Sequence, residues 1–177
     1  MESLVTNKKD KVLEHFLINP TSEFHLRELS RKVKVSFPWV RKVVSELAKE
    51  NLLIRKTEHG LVLVSANREH SMFRAVKRSY NLLALAKSGL MEKLVEEYQR
   101  PEAIVLFGSY SRGEDTEGSD IDLAILTRKT IVADVSAFAK ILRRKINIHE
   151  LQKEKIEKEF WNSLANGIVL HGFLEVR

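Results

Sequence analysis

The stretch LFGSYSRGEDTEGSDIDLAIL, residues 106–126, carries the strongest structural signal in the sequence. An apolar run ends at Gly108-Ser109, a polar loop follows, and apolar character returns at Asp120-Ile121-Asp122. Because side chains alternate between the two faces of a strand, Asp120 and Asp122 should share one face while Ile121 points into the core. Two such carboxylates repel each other, and a divalent cation such as Mg²⁺ or Mn²⁺ removes the repulsion. The pattern therefore predicts a cation site at the start of a strand.

The Gly108-Ser109 pair lies where a predicted strand turns into a predicted helix. Free backbone N–H groups and a hydroxyl at the start of a helix form a cradle for phosphate. With phosphates on one side and cations on the other, the arrangement suits phosphoryl or nucleotidyl transfer, in which two metal ions hold the attacking and leaving oxygens.

The spacing of these residues resembles a known family signature. Gly108-Ser109, ten intervening residues (110–119) and then Asp120-Ile121-Asp122 resemble the GS-x10-DxD signature of the DNA polymerase β-like nucleotidyltransferase superfamily. The residues around this signature, GSYSRG and SDIDLAIL, are similar to those of the minimal nucleotidyltransferases of archaea and bacteria. The resemblance covers about residues 90–176, roughly half of the chain.

The resemblance implies an enzyme that transfers a nucleoside monophosphate from an NTP, with ATP as the first choice, to an acceptor hydroxyl. Pyrophosphate is released and two Mg²⁺ ions take part. Carried over residue by residue, it assigns the triphosphate to Gly108 and Ser109, and it makes Asp120 and Asp122 the catalytic metal ligands. Arg112 either neutralises phosphate or holds the loop through a surface carboxylate.

The sequence departs from the family pattern at the third carboxylate, which a neighbouring strand usually supplies. The strand that should bring it, residues 146–150, has Asn147 where an Asp is expected, and an amide cannot take a proton. Glu150 is out of phase with Asn147 in a regular strand, but a bulge or the end of the strand would turn it inward, so it is the candidate third catalytic carboxylate. His149 is a candidate base that has an alternative structural role.

The second half of the chain is predicted to be α/β with a small mixed sheet, because strands and helices alternate. We predict a nucleotidyltransferase domain over residues 90–177. Its predicted strands are 103–107, 121–127, 146–150 and a piece within 167–176, and its predicted helices begin at Ser109 and span 131–144 and 152–165.

The first 66 residues have the pattern of an α+β winged helix-turn-helix domain. In that fold the third helix enters the major groove of DNA and the hairpin lies beside the backbone. The predicted order is a helix at 8–18, a helix at 25–32, a helix from Ser36, and a hairpin of residues 52–54 and 61–64 joined through Glu58-His59-Gly60.

Basic charge is concentrated in this region. Between residues 25 and 56 there are nine Lys or Arg against three Glu, an excess of +6 that equals the formal net charge of the whole chain. The third helix places Val40, Val43, Val44 and Leu47 on one face, and its other face is the candidate surface for double-stranded DNA: Trp39, Arg41, Lys42 and Ser45. The alternative is a protein-interaction module whose charges are only a solvated face.

Residues 67–89 are predicted to form a connector helix. Its apolar residues need a cover, which is either a second copy of the chain in a homodimer or the nucleotidyltransferase domain of the same chain. These residues are Met72, Phe73, Val76, Tyr80 and Leu83.

Composition narrows the possible classes further. The absence of cysteine excludes disulfides and thiolate metal sites. No run approaches the ~20 apolar residues of a membrane span, and the N-terminus lacks a signal-peptide core, so we expect a cytoplasmic protein without membrane partners. Two other functions stay open: a transcriptional regulator whose nucleotidyltransferase fold only senses nucleotide, and an antitoxin that pairs with, or nucleotidylates, a HEPN-type toxin.

Overall fold

The computed structural model of the protein describes residues 7–58 and 60–175. These residues form two compact units: the N-terminal unit extends up to Tyr80 and the C-terminal unit begins at Asn81. Within the described residues no helix is long and apolar enough to cross a membrane.

The N-terminal unit combines three short helices with a three-stranded antiparallel sheet of order β1-β3-β2. The predicted order of helices and hairpin strands is confirmed, with ends that differ by at most four residues. His59 of the predicted turn lies outside the described residues. The elements are α1 (Lys8–Ile18), β1 (Glu23–His25), α2 (Leu26–Val33), α3 (Phe37–Lys49), β2 (Leu53–Glu58), β3 (Leu61–Ala66) and the first part of α4 (Ser71–Ser88).

The core of the N-terminal unit is built on the apolar stripe of α3. The four residues of the predicted stripe, Val40, Val43, Val44 and Leu47, are fully buried. The turn between α2 and α3 passes through Lys34, whose φ of 54° is left-handed. The hydroxyl of Ser30 donates to the carbonyl oxygen of Val35 (2.6 Å) and closes this turn. The burial of the stripe therefore fixes which face of α3 is left exposed.

The connector helix α4 begins at Ser71, four residues later than predicted. Phe73 is buried in the core of the N-terminal unit, and Val76 and Tyr80 pack against that core. These three residues are therefore buried against the N-terminal unit itself. The prediction had considered only a second copy of the chain or the nucleotidyltransferase domain as their packing partner. Met72 and Leu83 remain largely exposed.

The C-terminal unit contains a four-stranded mixed sheet of order β6-β5-β4-β7. A small mixed sheet was predicted from the sequence, without a strand order. β4 is antiparallel to both of its neighbours, whereas β5 and β6 are parallel. The elements after α4 are α5 (Leu90–Glu97), β4 (Ala103–Phe107), α6 (Gly108–Arg112), β5 (Ile121–Leu126), α7 (Ser136–Leu142), β6 (Ile146–Leu151), a 3₁₀ turn (Lys153–Lys155), α8 (Lys158–Ala165) and β7 (Ile168–Gly172).

Two predicted helices of this unit are wrong in extent. The helix predicted at 131–144 begins only at Ser136, because the backbone of Ile131 is bonded elsewhere: its N–H donates to Glu150 and its carbonyl accepts from the Tyr98 hydroxyl. The helix predicted at 152–165 is interrupted at Ile156, which is extended (φ −80°, ψ 124°) and packs into the apolar layer beneath α8.

Candidate functional site

Strand register brings Asp122 and Asn147 together on one face of the C-terminal sheet. Phe107 is paired with Asp122, and Asp122 is paired with Asn147 on the parallel strand β6. Towards the other end of these strands, the same face is covered by α8, which packs on Val105 and Ala124. The polar residues therefore occupy the end of the face where β4 ends and where β5 and β6 begin.

The two aspartates converge on one atom of Asn147. Its Nδ2 donates to Asp120 Oδ2 (3.1 Å) and to Asp122 Oδ1 (2.9 Å). The same Asp120 oxygen lies 3.7 Å from the ammonium group of Lys145, an exposed residue. Asp120 and Asp122 thus point to the same side of β5, as strand alternation requires.

Gly108 lies directly against one of these carboxylates. A Cβ atom at this position would be 2.8 Å from Asp122 Oδ2, and the φ of Gly108 is +75°, so glycine is required for both space and conformation. The hydroxyl of Ser111 donates to the Gly108 carbonyl oxygen (2.8 Å) and holds the first turn of α6. The structure brings Gly108 next to Asp122, and Ser109 follows in α6, partly exposed.

A buried polar network fixes the loop between α6 and β5, and it was not predicted from the sequence. Asn81 Nδ2 donates to the carbonyl oxygen of Tyr110 (2.9 Å) and to Asp115 Oδ1 (2.7 Å). The Asp115 side chain is fully buried and forms an ion pair with Arg144 (3.6 Å), which also donates to the carbonyl of Glu117. The network holds the segment that joins the Gly108-Ser109 turn to the aspartates. The partners come from separate elements without any fixed spacing, so no sequence pattern marks them.

Arg112 makes a surface contact. Its Nε donates to Glu114 Oε2 (2.7 Å), and both side chains are exposed. A phosphate and a surface carboxylate were the partners considered for Arg112 from the sequence, and the structure shows the contact with the carboxylate.

Glu150 is not brought to the aspartates. β6 is regular through Glu150, which pairs with Ile125, so no bulge turns its side chain to the face of Asn147. On the opposite face its Oε1 accepts from the Tyr98 hydroxyl (2.6 Å) and from the Ile131 N–H (2.8 Å). Burial, and then this bond to Glu150, raise the pKa of Tyr98. The placement of Glu150 gives it a role in holding the loop after β5, and it corrects the expectation of a third catalytic carboxylate.

His149 shares the face of Asn147 but packs among aromatic rings. The centroid of its ring lies 5.4 Å from that of Phe107 and 5.9 Å from that of Phe160, and the two phenyl rings are 5.3 Å apart. This edge-on packing is the structural alternative considered for His149.

Two carboxylates and one amide form the donor set at Asn147. In the part of the chain that the structure describes, no group of three or more His, Cys, Asp or Glu side chains could hold a metal ion. However, two carboxylate oxygens lie within 3.1 Å of one amide nitrogen. A hydrogen-bond donor therefore stands where a shared cation would balance both charges, and oxygen ligands of this kind suit Mg²⁺ or Mn²⁺.

The exposed face of α3 in the N-terminal unit forms a second candidate site. Trp39 is 40% exposed, and the ammonium groups of Lys8 and Lys42 lie 5.5 and 5.8 Å from its ring centroid. Beside β2 the helix borders a groove of about 480 Å³, in which Arg55 Nη1 donates to Ser45 Oγ (3.5 Å). The groove is lined by Pro38, Arg41, Lys42, Ser45, Glu46, Lys49 and Arg55. Three of the four predicted DNA-contacting residues therefore line one groove.

Comparison with known families supports the class of the C-terminal unit. Residues 91–172 match the family model described as polymerase beta, nucleotidyltransferase. No curated protein matches the chain significantly. The matched segment contains the Gly108-Ser109 turn and the aspartate pair, and it supports membership of this segment in the nucleotidyltransferase superfamily, with nucleotidyl transfer as its general chemistry.

Proposed function

We propose that the C-terminal unit is a Mg²⁺-dependent nucleotidyltransferase that transfers a nucleoside monophosphate from an NTP, ATP first among them, to an acceptor hydroxyl. One observation carries the proposal: Asp120 and Asp122 converge on a single atom beside the Gly108 turn. The family match over residues 91–172 supports it.

The residues take the following roles in the proposed reaction. The backbone of Gly108 and the hydroxyl of Ser109 receive the triphosphate, and Arg112 can leave Glu114 for a phosphate because both side chains are exposed. Asp120 and Asp122 would hold Mg²⁺, which supplies charge stabilisation at the phosphates when bound.

In the reaction itself, the acceptor oxygen forms a bond to the α-phosphorus, and the bond from this phosphorus to the bridging oxygen breaks. Pyrophosphate leaves with the electron pair of that bond. The acceptor proton goes to solvent, because the amide of Asn147 has no basic site. We therefore expect slow turnover compared with a site that has a carboxylate at this position.

We further propose that the N-terminal unit is a winged helix that binds double-stranded DNA through α3. The supporting observation is the groove beside α3, where Arg41, Lys42, Lys49 and Arg55 provide cations for backbone phosphates. Trp39 is exposed on the same helix and adds an aromatic contact.

A second candidate function is a DNA-binding regulator that senses nucleotide without turnover. The observation that favours it is Asn147, an amide at the position next to Asp122 where the family supplies a carboxylate. Under either function the nucleotide and the cation bind to the same residues.

The acceptor of the nucleotide and the protein partners are proposed from the family resemblance alone. A tyrosine of a HEPN-type toxin is the proposed protein acceptor. A homodimer would cover the exposed Met72 and Leu83 of α4.

Calorimetry with ATP, with and without Mg²⁺, tests the proposed site. Asp120→Asn should keep the fold, because it removes a repulsion, and should abolish Mg²⁺-dependent ATP binding. Asp134→Asn is the matched control: Asp134 is exposed at the start of α7, where it accepts from the Ser136 N–H, and Asn keeps this contact. Unchanged Mg²⁺-dependent affinity in Asp120→Asn would refute the site.

Turnover requires a separate assay. Incubation of the protein with α-labelled ATP, Mg²⁺ and cell extract should label an acceptor and release pyrophosphate if the protein is an enzyme. ATP binding without labelling or pyrophosphate release favours the sensor.

A further inference from the structure

We propose that Asn147 limits the site to one divalent cation and that its amide closes the site when no cation is bound. The inference rests on the proposed nucleotide site and concerns how that site handles metal. It starts from the position of one nitrogen atom between two carboxylates.

Only a donor or a cation can stand between Asp120 and Asp122. Ionised carboxylates accept hydrogen bonds and cannot donate them. The Asn147 Nδ2 group has two hydrogens and reaches one oxygen of each aspartate, at 3.1 and 2.9 Å. The amide thereby relieves the repulsion between the two charges without a metal ion.

The charged groups at the site leave enough negative charge for no more than one divalent cation. Asp120 and Asp122 contribute two negative charges, and Lys145 places a positive charge 3.7 Å from Asp120. No third acidic, histidine or cysteine side chain completes a metal-binding group within the described residues. A second divalent cation would therefore meet too few charged protein ligands, because divalent cation affinity depends on the number of charged ligands.

Asn147 can serve the bound state as well as the metal-free state. Rotation of its amide by half a turn exchanges Nδ2 for Oδ1, an oxygen ligand that suits Mg²⁺ and Mn²⁺. The backbone pairing of Asn147 with Asp122 keeps the side chain at the site during this rotation. The same residue thus closes the metal-free site and supplies a neutral ligand to a single cation.

Titration of the full chain with Mn²⁺ alone, followed by electron paramagnetic resonance, tests the inference. The wild type should bind one Mn²⁺. Asn147→Asp should bind Mn²⁺ about tenfold more tightly or more, and should gain a second site, because it adds a charged ligand. Asn147→Ala should still bind no more than one Mn²⁺, because it adds no charged ligand.

Asn162→Asp is the matched control, since it makes the same chemical change on an exposed position of α8 and should bind Mn²⁺ like the wild type. Two Mn²⁺ ions of similar affinity in the wild type, or none, would overturn the inference. So would an Asn147→Asp variant that matches Asn162→Asp, or a second Mn²⁺ site in Asn147→Ala. Because the assay contains no nucleotide, its failure is distinguishable from failure of the calorimetric test with ATP and Asp120→Asn.

Discussion

The two candidate sites of this protein hold their charges in opposite ways. Beside α3, the cations sit on long exposed side chains such as Arg41 and Lys42, each of which can move independently. On the C-terminal sheet, Asp120 and Asp122 are short side chains fixed by strand pairing, by one amide and by the Gly108 turn. The first arrangement suits a long, regular polyanion, whereas the second suits a small ligand with a defined geometry.

The difference predicts how each site responds to substitution. A surface of independent cations should lose affinity in small, graded steps. A site whose parts are fixed by a buried network should fail as a whole when the network is broken. The largest effects of substitution are therefore expected around Asp115. The smallest are expected at exposed positions and at positions held by a single hydrogen bond.

Asp115→Ala is expected to have the largest effect on stability. The fully buried Asp115 carboxylate pairs with Arg144, which is itself only 10% exposed, and it accepts from Asn81. Removing it leaves a buried guanidinium without this partner, which costs about 3–5 kcal/mol. Urea unfolding of the C-terminal unit should show the loss. Glu114→Ala, which removes the exposed pair with Arg112, should cost less than about 1 kcal/mol, and equal losses in the two variants would contradict the argument.

Gly108→Ala should lower both stability and nucleotide binding. A Cβ atom would lie 2.8 Å from Asp122 Oδ2, and φ is +75°, so the variant should lose about 1–3 kcal/mol of unfolding free energy. Displacement of the Asp122 carboxylate should also weaken Mg²⁺-dependent ATP binding in calorimetry. Gly118→Ala is the control, because nothing lies within 4 Å of the added atom. Wild-type ATP affinity in Gly108→Ala would show that Asp122 is not confined as proposed.

Arg41→Ala and Lys42→Ala should weaken DNA binding in graded steps. A contact to a base edge costs about 1–3 kcal/mol and specificity at that base, whereas a phosphate contact weakens all sequences and reduces the salt slope. Anisotropy titrations of a duplex at two salt concentrations separate the two cases. Lys140→Ala makes the same charge change as Lys42→Ala on an exposed position of α7 and should leave the affinity unchanged. If the wild type binds no duplex at low salt, the DNA proposal fails.

The sequence was sufficient to predict the elements of the site but not the contacts that hold them. Strand alternation predicted that Asp120 and Asp122 share a face, and the family resemblance identified Asn147 as the residue at the position of the third carboxylate. The first prediction follows from local periodicity and the second from the family pattern. The bond from Asn81 to Asp115 joins residues 34 positions apart on unrelated elements, and no periodicity describes such a pair.

The errors in the prediction have the same origin. The helix predicted at 131–144 lost its first turn because Ile131 is bonded by Tyr98 and Glu150, which are distant in sequence. Glu150 was predicted to turn inward through a bulge, yet these same partners hold it in a regular strand on the opposite face. A secondary structure predicted from local sequence pattern does not form where hydrogen bonds from distant residues hold the segment in another conformation.

Glu150→Gln should therefore affect the loop and leave the nucleotide site intact. The amide oxygen still accepts from Tyr98 or Ile131, so the loss of unfolding free energy should be about 1 kcal/mol. Mg²⁺-dependent ATP binding, and any turnover, should equal those of the wild type. A loss of turnover at unchanged stability would restore the catalytic role first predicted for Glu150.

The smallest effect is expected at His15, in the N-terminal unit. Burial, and to a lesser degree the charge of Lys32, lower the pKa of His15 below its usual 6.5, while Glu28 opposes the shift. Among the described residues, its Nε2 is a buried atom with no hydrogen-bond partner, and its ring lies 4.8 Å from that of Phe24. The folded state thus favours the neutral ring.

The contribution of His15 to the free energy of unfolding should decrease as the pH falls. As the pH falls through 6.5, the unfolded chain binds a proton at His15 while the folded chain does not, so stability decreases. The decrease ends once the pH is below the lowered folded pKa, and its slope cannot exceed about 1.4 kcal/mol per pH unit for one proton. Above pH 6.5 the contribution is fully present. His15→Leu keeps an apolar contact with Phe24 and should remove this component. The test measures the urea midpoint of unfolding from pH 5 to 8 by Trp39 fluorescence, in a Trp161→Phe background. The midpoint should decline less towards low pH in His15→Leu than in the parent. Parallel curves would show that His15 titrates normally in the folded protein.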